Sequence, residues 1–218
     1  MSDSTSMILD YKVRKPMIVT SNPPVLFLLH GYGSHEEDLF SFANYLPEDY
    51  LVISLRAPLS LDFGGFTWYS IYFDQDQKKW SDDEEAIAAQ KIILYNIDFH
   101  LKQFSLGFKR VSLLGFSQGA ILSWALGLGR PDKFDKIIAL SGYVNTDLFT
   151  FAAQGLENLR CFSSHGIQDP TIPVEWARKG IEAIKHQPIK IDYKEYEAGH
   201  GIVPENFTDL ITWLKENP

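Results

Sequence analysis

Short apolar runs recur through this chain at regular intervals, with helical stretches between them. Val25-Leu26-Phe27-Leu28-Leu29 and Leu51-Val52-Ile53-Ser54-Leu55 are two of them. A run of about five residues that is apolar without alternation reads as a strand buried on both faces. Strands of this kind need helices on either side, and the helices must return the chain to start each new strand in the same direction. The pattern predicts strands at residues 25–29, 51–55, 110–114, 136–140, 159–163 and 189–196. It predicts helices at residues 36–46, 81–104, 117–128, 174–185 and 204–215, with a helical segment around 147–155. Ahead of these, Leu9, Tyr11 and Val13 alternate with Asp10, Lys12 and Arg14, the period of a half-exposed strand. The expected fold class is α/β, with a mostly parallel central sheet and helices on both faces. In the long helix, Ser81-x-x-Glu84 reads as a capping box, and Ile87, Leu94, Ile97, Leu101 and Phe104 form the apolar stripe.

With 218 residues, of which 45% are hydrophobic, the chain can build one large core, and no repeat or low-complexity linker divides it. A single domain spanning 1–218 is expected. A net charge of −8 argues against a nucleic-acid partner or an anionic membrane surface. Cys161 is the only cysteine, so no internal disulfide forms; a buried thiol and a reducing, cytoplasmic setting are expected. Residues 1–6 lack a basic region followed by an apolar one, so no secretory signal is expected, and no apolar run is long enough for stable membrane insertion.

In a parallel sheet, ligands bind beyond the carboxyl ends of the strands. The loops at those ends hold His30-Gly31-Tyr32-Gly33, Gly115-Phe116-Ser117-Gln118-Gly119, His165-Gly166-x-x-Asp169-Pro170 and Gly199-His200-Gly201. Gly-x-Ser-x-Gly alone is as easily a tight turn as a nucleophile. A serine, an aspartate and a histidine in that order, each at one sheet edge, is the arrangement of an α/β hydrolase. Ser117 is the candidate nucleophile, His200 its base, and Asp169 the group that orients the imidazole. The backbone N–H of Gln118 and, from the loop after His30-Gly31, that of Tyr32 are the candidate oxyanion donors. His30 and His165 are read as structural, and His35, His100 and His186 as surface residues. No two histidines fall at a metal spacing with a carboxylate, so neither metal nor other cofactor is expected.

Together, Leu29-His30-Gly31-Tyr32-Gly33, Gly115-Phe116-Ser117-Gln118-Gly119, His165-Gly166-x-x-Asp169-Pro170-x-x-Pro173 and Gly199-His200 resemble the phospholipase/carboxylesterase family of α/β hydrolases. That family includes acyl-protein thioesterases and bacterial carboxylesterases. The resemblance runs from about residue 24 to the C-terminus. It implies hydrolysis of carboxylic esters or thioesters with mostly apolar acyl groups, through Ser117, Asp169 and His200. Gly33-Ser34-His35-Glu36-Glu37-Asp38 departs from the Gly-Asp-Thr-Gly-like turn of the thioesterases, which leans towards the bacterial carboxylesterase branch.

Residues 56–80 are rich in aromatics and read as irregular; they are expected to form a flap lining an acyl-binding groove. Trp68, Phe66 and Tyr69 are the candidate substrate contacts. The leading expectation is a serine carboxylic-ester hydrolase, working through an acyl-enzyme on short-to-medium apolar acyl groups. Thioesterase or lysophospholipase action with the same machinery is the alternative. A ligand-binding protein without turnover is disfavoured by the intact serine, aspartate and histidine. Apolar flap residues leave a homodimer possible.

Overall fold

The structure is a computed structural model that describes residues 7–73 and 79–218. Its strands are β1 (Tyr11–Arg14), β2 (Val25–Leu29), β3 (Leu51–Leu55), β4 (Leu59–Ser60), β5 (Phe66–Thr67), β6 (Ile71–Phe73), β7 (Lys79–Ser81), β8 (Val111–Phe116), β9 (Lys136–Leu140), β10 (Arg160–Gly166) and β11 (Lys190–Tyr196). Its α-helices are α1 (Asp83–Gln103), α2 (Gln118–Gly129), α3 (Val174–Ile184) and α4 (Pro204–Glu216). Seven strands form the main sheet in the order β1-β3-β2-β8-β9-β10-β11. Only β1 runs antiparallel, against β3; every other neighbour is parallel.

The apolar runs explain the layers. Side chains alternate across a strand, so β2 sends Val25, Phe27 and Leu29 to one face and Leu26 and Leu28 to the other. The first face packs under α1 and α2, through residues such as Ile93, Ile97, Leu122 and Trp124. The second packs on Leu39 and Ala43 and on Leu210, Trp213 and Leu214 of α4. This is the α/β-hydrolase fold in one domain, as expected.

Several local expectations are corrected. Residues 36–46 do not form an α-helix; Leu39–Tyr45 is a 3-10 helix. Its exit carbonyls are taken by one side chain, because the Arg14 guanidinium donates to the carbonyls of Ala43, Leu46, Pro47 and Tyr50. Around 147–155 there is only a 3-10 turn, Thr146–Leu148, opened by the Asn145 side chain accepting from Asp147 N–H. An Asx turn of this kind competes with helix propagation.

The long helix starts one residue later than the capping box suggests. Ser81 belongs to β7, and Asp82 is the cap, accepting from Glu85 N–H at 3.0 Å. Of the expected stripe, Ile97 and Leu101 are buried and Leu94 and Phe104 pack against the core. Ala86, Ala89, Ile93, Asn96, Ile97 and His100 face the core, while Ile87 is exposed. Two of these are polar, so an apolar count leaves them out: Asn96 accepts from Leu9 N–H and donates to the carbonyls of Met7 and Ile92. His100 is thus fully buried, not on the surface, with its ring against Tyr11 and Phe27. His35 and His186 are exposed. Cys161 is buried in β10, where loss of solvation pushes its thiol well above the usual range.

Residues 56–73 are not structureless: β4 pairs with β5, and β6 with β7. Residues 74–78 of the expected flap lie outside the described residues.

Candidate active site

The sharp turn between β8 and α2 places Ser117 at φ 53° and ψ −114°, a strained conformation for a residue with a Cβ. Two flanking glycines make the turn possible. A Cβ at Gly119 would lie 2.0 Å from the Leu29 carbonyl oxygen, and one at Gly115 2.2 Å from that of Gly119. Helix and strand therefore approach backbone to backbone. The Ser117 N–H donates to Leu140 O at 2.9 Å, which ties the turn to β9.

The loops after β10 and β11 are stitched together. Ile167 N–H donates to Tyr196 O and Gln168 N–H to Ala198 O, so Asp169 and His200 are carried by one unit. Asp169 Oδ1 accepts from the N–H groups of Thr171 and Ile172 at 2.8 and 2.9 Å. Its Oδ2 lies 2.7 Å from His200 Nδ1, and His200 Nε2 lies 2.9 Å from Ser117 Oγ. A carboxylate only accepts, so Nδ1 carries the proton and the Nε2 lone pair faces the hydroxyl. The Asp169 side chain has no solvent exposure, whereas His200 keeps 18% and stays reachable. His165 is buried behind this pair; its Nε2 donates to Ile172 O at 2.8 Å and sits 3.2 Å from Asp169 Oδ2.

His30 sits at the end of β2 with Nδ1 2.7 Å from Gly31 O and Nε2 3.0 Å from Ala57 N. It locks the loop carrying Tyr32 onto the end of β3. Gln118 opens α2, so its N–H is one of those without an intrahelical carbonyl. Gly31, Tyr32, Gln118 and Ser117 all line one cavity of about 390 Å³.

The rest of that cavity divides chemically. Tyr69, Ile71, Phe116, Ile121, Tyr143, Ile172 and Trp176 supply its apolar lining, and Ser34, Asp38, Ser81 and Thr171 its further polar groups. Tyr143 and Trp176 meet edge to face at 5.3 Å. Burial pushes the Tyr69 and Tyr143 hydroxyls upward, so both stay protonated at neutral pH. Of the expected substrate contacts, only Tyr69 lines this cavity. Trp68 is 1% exposed, and its Nε1–H donates to His30 O at 2.9 Å. Phe66 lies under the Arg56 guanidinium, 4.7 Å from ring centroid to cation. An aromatic-rich loop signals burial as readily as binding, and sequence could not tell which side chains turn inward. Ile121, Tyr143, Ile172 and Trp176 carry no mark of this role in the sequence: each lies beyond a strand end at a position whose residue type no motif fixes.

A mostly parallel sheet with a serine on a strand-to-helix elbow, met by a histidine and a buried aspartate from later loops, defines an α/β hydrolase. The chain matches the phospholipase/carboxylesterase family over residues 18–217, and it belongs to that family. It is therefore a serine hydrolase acting on ester bonds. Acyl-protein thioesterase 1 of Kluyveromyces lactis is 28% identical over 209 residues, covering 88% of this chain and 91% of that protein. Among solved structures, a carboxylesterase from Bacillus cereus superposes with a TM-score of 0.85 at 18% identity, over 100% of both chains. A carboxylesterase from Mesorhizobium loti gives 0.80 at 20% identity, over 99% of this chain and 97% of that one. Among the described residues no helix is long and apolar enough to cross a membrane.

Proposed function

We propose that the chain hydrolyses carboxylic esters with short-to-medium apolar acyl groups through an acyl-enzyme on Ser117. The observation that carries this reading is His200 bridging Ser117 and Asp169, at 2.9 and 2.7 Å, in the wall of a largely apolar cavity. His200 Nε2 takes the Ser117 proton as Oγ attacks the ester carbonyl carbon. The carbonyl oxygen becomes an oxyanion, held by the N–H groups of Tyr32 and Gln118. His200 then passes the proton to the leaving alcohol, and the acyl group stays on Oγ. Water enters, gives a proton to His200, and attacks the acyl carbon; the acid leaves and Ser117 regains its proton. Asp169 keeps Nδ1 protonated throughout and stabilises the imidazolium.

p-Nitrophenyl acetate, butyrate and octanoate test this directly. Ser117→Ala should cut turnover by roughly 10⁴-fold or more, and a fluorophosphonate probe should label only the wild type. Unchanged turnover in Ser117→Ala ends the assignment. A folded wild type that fails to label favours ligand binding without turnover.

A second reading changes only the leaving group. The likeness to Acyl-protein thioesterase 1 of Kluyveromyces lactis supports a thioester substrate. A thiol leaves more readily than an alcohol and needs less help from His200. Octanoyl thioester and octanoyl ester compared at matched chain length separate the two readings by their kcat/KM ratio.

A further inference from the structure

Tyr32 lies on the loop after β2, and Gln118 opens α2. Gly119 packs against the Leu29 carbonyl at the base of that loop, and residues 66–69 add hydrogen bonds to both sides. Phe66 exchanges backbone bonds with the Tyr32 loop: Gly33 N–H donates to Phe66 O at 2.9 Å, and Phe66 N–H to Ser34 O at 2.8 Å. The Trp68 indole N–H donates to His30 O at the base of the same loop. On the other side, one side chain makes the connection. Gln118 Oε1 accepts from Trp68 N–H at 2.9 Å and Nε2 donates to Tyr69 O at 2.7 Å, while the single Thr67 hydroxyl proton lies between Tyr69 O at 2.7 Å and Gln118 Oε1 at 3.0 Å. Gln118 is 2% exposed, so these bonds have little competition from water.

We propose that the Gln118 side chain is a positioning residue: it clamps residues 66–69 to the nucleophile elbow and so sets the separation of the Tyr32 and Gln118 N–H groups. Residues 66–69 of the segment expected as a flap are then the brace of the oxyanion site, through their backbone groups and the Trp68 indole N–H. The proposal rests on the reading of those two N–H groups as oxyanion donors. It goes further in making a side chain responsible for their alignment.

Gln118→Met keeps the length and burial of the side chain and removes its bonds to Trp68 N–H and Tyr69 O, along with the Thr67 contact. Losing one oxyanion donor outright costs about 10²- to 10³-fold in rate. Misaligning it should therefore lower kcat by about 10- to 100-fold, with KM within about 3-fold. An alkylboronic acid forms a tetrahedral, negatively charged adduct on serine, and its affinity should fall in step with kcat. Trp213→Phe is the control for loss of a side-chain hydrogen bond remote from the site. It deletes the 2.6 Å contact to Asp192 on the opposite face of the sheet and should leave kcat and boronate affinity unchanged. Should Gln118→Met fail to fold, Thr67→Val removes, at constant shape, the hydroxyl that lies between Gln118 Oε1 and Tyr69 O, and kcat should fall by about 3- to 10-fold with KM held. A folded Gln118→Met, or in its absence Thr67→Val, with wild-type kcat and boronate affinity overturns the proposal. So does a loss of activity that falls on KM alone, or one that Trp213→Phe reproduces. Failure of the serine-hydrolase reading itself looks different, since there Ser117→Ala retains turnover.

Discussion

His30 should make this protein sensitive to mild acid. Its ring is fully buried, with Nδ1 against the Gly31 carbonyl and Nε2 against the Ala57 N–H. A carbonyl only accepts and an amide N–H only donates, so the ring is neutral with its proton on Nδ1. A second proton would have to enter at Nε2, directly facing the Ala57 N–H. Burial pushes the pKa from 6.5 down to about 4, against smaller upward effects of the Gly31 carbonyl, Asp38 and Glu36, while His35 adds to the fall. The unfolded chain takes up a proton near pH 6.5 that the native chain refuses until about pH 4. Stability from this group is therefore present above the unfolded pKa and is lost as pH falls through that window. The shift implies a loss of about 2 kcal/mol by pH 5 and about 3 kcal/mol in full. Urea unfolding at pH 7 and pH 5, on wild type and His30→Gln, isolates the effect. The amide oxygen of glutamine can still accept from Ala57 N–H and does not titrate. Wild type should lose about 2 kcal/mol more than the variant between the two pH values, whatever their absolute stabilities. Parallel losses in the two proteins would refute the reasoning.

Other outcomes follow from the same geometry. Trp68→Ala should destabilise by about 3–5 kcal/mol in urea unfolding and leave the acetate-to-octanoate ratio of kcat/KM unchanged, because Trp68 fills core rather than cavity. A chain-length-dependent rise in KM would return Trp68 to the substrate. Asp169→Asn can still accept from the Thr171 and Ile172 N–H groups but presents no acceptor in place of Oδ2 if its amide nitrogen faces His200. The fold should persist by circular dichroism while kcat drops by about 10⁴-fold. Gly119→Ala drives a Cβ into the Leu29 carbonyl, 2.0 Å away, and should cost more than about 4 kcal/mol. Gly107→Ala meets nothing within 4 Å and should stay within about 0.5 kcal/mol of wild type. Similar stabilities for these two variants would mean the helix and strand can separate at little cost.

The elements read best from sequence were those whose cause is local and repeated. Strand β2 is apolar at every position because both its faces are covered, and that leaves a plain mark. The serine elbow was legible because two glycines must flank so close a contact, and a glycine is visible in any sequence. Asp169 and His200 were legible as residues at strand ends, and the edge on which they lie follows from a parallel sheet. The elements read poorly were those whose cause is distant. Residues 36–46 carry a helical pattern, but Arg14, remote in sequence, takes the carbonyls at the exit of the 3-10 turn that forms there. His100 reads as a surface histidine until Tyr11 and Phe27 are packed around it.

Sequence by itself determined the class of fold, the polarity of the sheet, and the short list from which a nucleophile, a base and an acid could come. These depend on period, order and glycine, all of which are properties of neighbours along the chain. Only the tertiary structure decided that His200 touches Ser117 and Asp169 at once, that Trp68 turns inward while Tyr69 reaches the cavity, and that Gln118 binds residues 67–69 through its side chain. Each of these joins residues at least 31 positions apart in sequence or turns on which face of a segment is covered. Such contacts are set by how the layers pack, and the packing is the sum of every side chain in both cores, so no local pattern announces it.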